Sequence, residues 1–297
     1  MDHASLEIFR TVAAELSITR AAKRLGRVQS NVTTRIQQLE DEMGVALFRR
    51  DANRLSLSAE GECFLDYANR MLALADEARQ ALHPQSPSGV LRLGTMESTA
   101  ASRLPEFLAR YHQRWPTVQW RISTAPSRLL IQQVHSGLTD CALAALPPCG
   151  ELASEADLEA MGLHGKTIFR EELVLVLPAA HPSIQGPRDV SAHSLAAFTQ
   201  GCSYRALVEN WLGAKAQTLD IQEVGSYHAM LACVASGSCM CVLPRSVLNL
   251  AREPLNIQVH LVAQVDTWLI WRHGYETAAF VAFRDLLLDG AETGPRP

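Results

Sequence analysis

Nowhere in the 297 residues is there an apolar run long enough to span a bilayer, and no apolar stretch follows a charged start at the N-terminus. The expectation is a cytoplasmic chain without signal peptide or membrane partner. Cysteine is scarce and shows no pairing pattern. The seven (Cys63, Cys141, Cys149, Cys202, Cys233, Cys239 and Cys241) are odd in number and scattered, which points to reduced thiols and not to a disulfide framework. Cys239 and Cys241 alternate with apolar residues as in a buried strand, and no Cys-x-x-Cys pair or His at ligand spacing accompanies them. No metal and no cofactor are therefore expected. An excess of positive charge is also lacking: 27 Lys and Arg stand against 31 Asp and Glu, a net charge of −4. The molecule as a whole is not an electrostatic DNA binder. With 47% hydrophobic and 20% charged residues, it has the composition of a globular protein of two or three domains.

The charge that is present is unevenly placed. Between positions 20 and 54 stand Arg20, Lys23, Arg24, Arg27, Arg35, Arg49, Arg50 and Arg54, against only Glu40, Asp41, Glu42 and Asp51. A basic N-terminal module on an acidic chain suits contact with phosphates. Within it, Ser17 or Thr19 can cap a short helix whose face of Ala21, Ala22 and Leu25 is small and apolar. Gly26 permits a sharp turn. A second helix follows, with Val32, Ile36 and Leu39 on one buried face and Gln29, Ser30, Asn31, Thr33, Thr34 and Arg35 opposite. Short polar groups on the first turns of a helix match base edges in a major groove, so the pair reads as a helix-turn-helix. Ahead of it, Leu6, Phe9, Val12, Ala13 and Leu16 form one core-facing stripe.

After this helix, residues 43–48 turn back to the core, 49–54 make a polar turn, and Leu55-Ser56-Leu57 alternates like a strand. Such a wing touches the DNA backbone, with Arg50 and Arg54 as its candidate contacts. A helix to about residue 82 then carries Phe64, Ala68, Met71, Ala75, Ala78 and Leu82 at heptad spacing. The seam predicts dimerisation through this helix, followed by a hinge at His83-Pro84-Gln85-Ser86-Pro87-Ser88-Gly89.

In order and spacing, residues 17–25, Arg35-Ile36-Gln37-Gln38-Leu39-Glu40, Gly44-Val45-Ala46-Leu47-Phe48-Arg49-Arg50 and residues 55–61 resemble the N-terminal module of LysR-type transcriptional regulators. Val28 departs from the pattern, because the family commonly has a capping serine there; the cap would then come from elsewhere, with Ser30 the candidate. From Val90 onward, short strands at 90–94, 118–123 and 141–144 alternate with helices at 100–111 and 128–135, which implies a parallel sheet. A strand at 172–178 leads into a second subdomain with elements at 195–199, 205–212, 227–235 and 240–243; a strand at 267–271 and a helix at 278–288 return the chain. The resemblance turns this α/β pattern into the two-lobed, periplasmic-binding-protein-like sensor of the family. The expected architecture is thus an all-α winged helix-turn-helix over 1–58, a dimerisation helix and hinge over 59–89, and an effector-binding domain over 90–297. In that domain, lobe 1 takes about 90–165 and 267–297, and lobe 2 about 166–266.

Ligands of open α/β sheets sit at strand carboxyl ends and helix N-termini. The junctions Glu97-Ser98-Thr99, Thr124 to Ser127, Cys202-Ser203-Tyr204-Arg205 and Ser226-Tyr227-His228 occupy such places. In the family these positions line the effector cleft; plain helix capping explains the serines equally well. Glu97-Ser98-Thr99-Ala100-Ala101, Cys202-Ser203-Tyr204-Arg205, Ser226 to Cys233 and Thr267-Trp268-Leu269-Ile270-Trp271-Arg272 also resemble a subgroup that includes regulators of putrescine utilisation, which implies a polyamine or related amino-acid metabolite. Glu97 suits an amine; helix N-termini and Arg205 suit a carboxylate. The expected DNA-contacting residues are Thr19, Arg20, Gln29, Ser30, Asn31, Thr33, Thr34, Arg35, Arg50 and Arg54. The expected partners are double-stranded promoter DNA, a small effector, further copies of the chain as dimer or tetramer, and RNA polymerase. Two other classes fit the sequence less well. A thiol enzyme at Cys202 with His228 lacks any nucleophile motif, and a plain small-molecule binding protein leaves the N-terminal arginines without a use.

Overall fold

The structure is a computed structural model that describes residues 1–51, 54–82, 86–146, 154–252 and 256–293, apart from the side chains at 50, 51 and 291–293. The start of the expected hinge, residues 83–85, and Cys149 lie outside the described residues. The chain divides into two compact units, Met1–His83 with Ser136–Leu138, and Pro84–His135 with Thr139–Pro297.

In the first unit, α1 (His3–Glu15), α2 (Ile18–Leu25) and α3 (Gln29–Met43) precede a two-stranded wing, β1 (Phe48–Asp51) and β2 (Arg54–Leu57), and the long α4 (Ala59–Ala81). Leu6, Phe9, Val12, Ala21, Val32, Ile36, Leu39 and Leu47 make the core, with the Phe9 ring 5.4 Å from Phe48 and 5.0 Å from Phe64. Leu16, expected in this stripe, is instead 47% exposed, because it ends α1 in the left-handed conformation. Ser17 caps α2 by accepting from the Arg20 N–H at 3.3 Å, and Gly26 ends it at φ 62°. The α3 cap is a correction. Val28 occupies the N-cap without any side-chain bond, and Ser30 lies inside the helix and caps nothing. Only from Asn31 on do the α3 amides reach a carbonyl of the turn before, that of Val28 at 3.1 Å. The Glu40 carboxylate, unnoticed in the sequence, holds the next turn by accepting from the Leu47 and Phe48 N–H groups at 2.7 and 3.1 Å.

The heptad seam on α4 divides into two halves. Phe64, Ala68 and Met71 pack into the unit's own core, while Tyr67 (56%), Leu74 (66%) and Leu82 (77%) are the exposed apolar side chains. The first half of the expected seam is thus taken up by the unit's own core, while Ala78 and Leu82 of its second half stay exposed beside Tyr67 and Leu74.

The second unit contains β3 (Gly89–Thr95), α5 (Glu97–Ser102), α6 (Leu104–Arg114), β4 (Val118–Thr124), α7 (Ser127–His135), β5 (Cys141–Ala145), α8 (Glu155–Ala160) and β6 (Leu163–Pro178). It continues with β7 (Ser194–Ala197), α9 (Ser203–Leu212), β8 (Asp220–Glu223), α10 (Tyr227–Ala235), β9 (Met240–Pro244), α11 (Arg245–Leu248), β10 (Ile257–Arg272) and α12 (Ala278–Thr293). The expected single helix at 100–111 is two helices that break at Arg103. The sheet runs β4-β3-β5-β10-β6-β9-β7-β8 and is mixed, where a parallel one was expected. Two parallel trios, β4-β3-β5 and β9-β7-β8, flank the antiparallel pair of β6 and β10. These two strands, 16 residues each, pass through both lobes, and the expected lobe boundaries fall inside them.

Alternation along each strand sends successive residues to opposite faces. Leu173 and Leu175 join Leu130, Ile131, Leu158 and Val208 under α7, α8 and α9. Val174 and Val176 meet Tyr227, Met230 and Val234 of α10. Leu91, Leu93 and Leu143 pack under Phe107, Tyr111, Phe280 and Phe283 of α6 and α12. No helix among the described residues is long and apolar enough to cross a membrane.

Candidate DNA-binding face and ligand cleft

On the first unit, Gln29, Ser30, Asn31 and Thr34 are exposed along the first turns of α3. Thr19 of α2 joins them, donating to Gln29 Oε1 at 3.3 Å, and Arg27 reaches Asn31 Oδ1 at 3.5 Å. Thr33 differs: half-buried, its hydroxyl donates back to the Gln29 carbonyl at 3.0 Å. Arg20 and Arg24 share Glu15 at 3.4 and 2.9 Å, and Arg35 lies 3.5 Å from Asp2. The Arg24 guanidinium beside Glu15 holds that carboxyl below its usual range. Exposed pairs of this kind are weak and yield readily to a phosphate. Arg54 is exposed at the wing turn, opposite Asp51. Arg50 pairs by backbone with Leu55, and its side chain is outside the described residues.

On the second unit, a cleft of about 200 Å³ opens at the carboxyl ends of β3, β4, β7 and β8. Of the expected residues, Glu97, Thr124, Ser127, Cys202, Tyr204 and Tyr227 line it, together with Met96, Ala125, Pro126, Phe198, Thr199 and Gly225. The first six, with Ala125 and Pro126, follow from strand–helix junctions; Met96, Phe198, Thr199 and Gly225 were not singled out in the sequence. Ser203 is turned away, donating to the Ala145 carbonyl at 2.8 Å. Arg205, offered as a carboxylate partner, is engaged elsewhere, with Glu209, Glu223 and the Phe198 carbonyl at 2.8 to 3.1 Å. Thr99 is buried without lining the cleft, and His228 is exposed at its edge near Glu97.

Capping does not explain these junctions. Neither Met96 before α5, nor Cys202 before α9, nor Ser226 before α10 makes a side-chain cap bond. Beneath the cleft, Ser98, Tyr204 and Thr267 are 2%, 2% and 0% exposed, and their hydroxyls lie beside one another. Their oxygens, with Ser127 Oγ and Glu97 Oε2, lack a hydrogen-bond partner at normal geometry. Buried polar atoms are seldom left so; the first three hydroxyls have one another within reach. Burial raises the Glu97 carboxyl above its usual range, partly offset by His228. Burial likewise pushes up the Cys202 thiol, which argues against a thiolate nucleophile, and the Tyr204 hydroxyl, with the Glu171 charge adding to the effect.

Behind the cleft, Arg103 grips the buried Glu171 with two bonds, at 2.6 and 3.0 Å. Arg245 pairs with Glu172, and the Ser102 and Ser246 hydroxyls meet at 3.1 Å. The end of α5 is thereby tied to β6 and to α11, so the helix that carries Glu97 and Ser98 is held at both lobes.

Two family models match the chain: the bacterial regulatory helix-turn-helix protein of the lysR family over residues 3–62, and the LysR substrate binding domain over residues 84–292. Among curated relatives, the HTH-type transcriptional regulator YusT of Bacillus subtilis is 35% identical, covering 96% of this chain and 95% of its own. GltR of the same organism, also an HTH-type transcriptional regulator, is 33% identical, covering 96% and 92%. In fold, the chain is similar to full-length OxyR from Pseudomonas aeruginosa (TM-score 0.70, 22% identity, 100% and 99% covered). It is also similar to CbnR, a LysR family transcriptional regulator (TM-score 0.66, 21% identity, 98% and 99% covered), which is known in complex with its target DNA as well. The chain belongs to the LysR family: it is a DNA-binding transcriptional regulator, not an enzyme, and its C-terminal domain is an effector-binding domain.

Proposed function

We propose that this regulator reads promoter DNA with the first turns of α3 and answers to an amine-bearing metabolite in the cleft of its C-terminal domain. Gln29, Ser30, Asn31 and Thr34 face base edges, Thr19, Arg20, Arg35, Arg50 and Arg54 face phosphates, and Thr33 supports the helix through its own backbone. The observation that carries the DNA reading is the row of exposed polar side chains on an α3 whose start has no side-chain cap. Copies of the chain pair through the exposed Tyr67, Leu74 and Leu82 on and just beyond α4, as dimers or tetramers that offer two winged helices to two half-sites. The complex acts in the cytoplasm, where RNA polymerase is the further partner.

The effector side rests on Glu97, a half-buried carboxylate in a cleft without a described lining Arg or Lys. That fits the polyamine or amino-acid metabolite implied by the resemblance to putrescine-utilisation regulators. Effector binding between the lobes alters DNA affinity only through unequal affinity for two states. A direct test is fluorescence anisotropy of a selected duplex with and without candidate amines. A shift in apparent affinity is expected, and no amine acting on either affinity or melting temperature would refute the effector reading.

A further inference from the structure

The cleft is chemically two-sided. On the lobe-1 side stands Glu97 at the start of α5, with Oε2 lacking a partner and no other carboxylate among the described lining residues. On the lobe-2 side, α9 (10 residues) and α10 (9 residues) begin at the cleft, through Cys202 and Tyr204 and through Gly225 and Tyr227, and neither start has a side-chain cap. The amides of Tyr204 and Arg205 have the Cys202 thiol beside them, a weak acceptor. Uncapped first turns carry partial positive charge and point their N–H groups outward. Ser127 Oγ, in a lining residue 1% exposed, has no partner at normal geometry.

We infer that the effector is a compact zwitterion, an amino acid whose ammonium group is held by Glu97 and whose carboxylate is held by the opening N–H groups of α9 and α10. The inference rests on the cleft being the effector site and narrows the amine reading given above. A diamine places its second ammonium against two helix N-termini with no acid to meet it. A dicarboxylate places its second carboxylate against Glu97. Each mismatch leaves a charge poorly paired in a half-buried site, which is costly. The zwitterion alone satisfies both sides, and because Glu97 belongs to lobe 1 and α9 and α10 to lobe 2, its two ends join the lobes. A cavity of about 200 Å³, below the roughly 300–1,000 Å³ of drug-sized sites, keeps the ligand small. His228, exposed beside Glu97, and the buried Tyr227 hydroxyl are the titratable groups near that end.

The test is calorimetric titration of the full-length chain at about pH 8, where an ordinary carboxyl is ionised. The probes are α- and ω-amino acids of about two to six carbons, each with the diamine and dicarboxylate of the same length. At least one amino acid is expected to bind about tenfold or more tighter than both counterparts. In Glu97→Gln, checked for an unchanged fold by its melting curve, that preference falls about tenfold while the dicarboxylate gains. Equal or tighter binding of a diamine would overturn the zwitterion and leave the amine reading standing. Equal or tighter binding of a dicarboxylate would overturn both. Silence from every amino acid, or an unchanged affinity in Glu97→Gln, would overturn the zwitterion as well.

Discussion

On α3, Gln29, Ser30, Asn31 and Thr34 are exposed and spaced along one helix face. In the cleft, Ser98, Ser127, Tyr204 and Thr267 are buried to 2% exposure or less, and come from α5, α7, α9 and β10. On the proposed reading the two sites solve opposite problems. A groove of DNA is a large, hydrated, charged surface, so its reader needs side chains already in water and arginines in weak pairs. A small metabolite must be desolvated, so on the proposed reading its site holds polar atoms out of water. The first arrangement is local in sequence, the second is assembled by the sheet.

Four substitutions separate the two sites. The largest effect is expected at Gly61 in α4, where an added Cβ would stand 2.0 Å from the Leu47 carbonyl oxygen. Gly61→Ala should destabilise the first unit by about 3 kcal/mol, seen in calorimetry as a lowered transition with DNA binding lost and amine binding kept. Next, Asn31→Ala should cost about 1–3 kcal/mol of discrimination at one base pair in each half-site, measured against a panel of single-base variants. Arg54→Ala should weaken all duplexes alike and lower the salt slope of binding by about one.

The smallest effect is at Glu97. Burial raises its carboxyl above that of the unfolded chain, so ionising it costs stability as pH rises through the ordinary carboxylate range, and the full cost persists above the raised value. Glu97→Gln should therefore raise the melting temperature of the ligand-free protein by about 1 °C near neutral pH, a gain that disappears in acid. A loss at neutral pH would mean that the carboxylate is structural.

Much of this was legible in the sequence, for reasons that differ by element. Ser17, Gly26 and the Val32-Ile36-Leu39 stripe specify the helix-turn-helix through caps, a left-handed turn and period, all local signals. Leu16 misled because a periodic pattern does not announce the left-handed residue that ends it. The first half of the α4 seam misled because Phe64 and Met71 are as apolar toward their own core as toward a partner. In the second unit, junction residues such as Glu97 and Tyr227 were found through the rule that ligands sit at strand ends. Thr267, lying in the middle of a 16-residue strand, carries no such mark. The Arg103–Glu171 pair joins residues 68 positions apart, and only the fold brings them together.

The measurement that tests the account most directly is selection of bound duplexes from a random library by the full-length protein and by its Asn31→Ala variant. The account predicts that the parent enriches a paired half-site sequence and that the variant relaxes or changes the same base in both halves. Identical enrichment by the two proteins would contradict it and move the reading surface away from the first turns of α3.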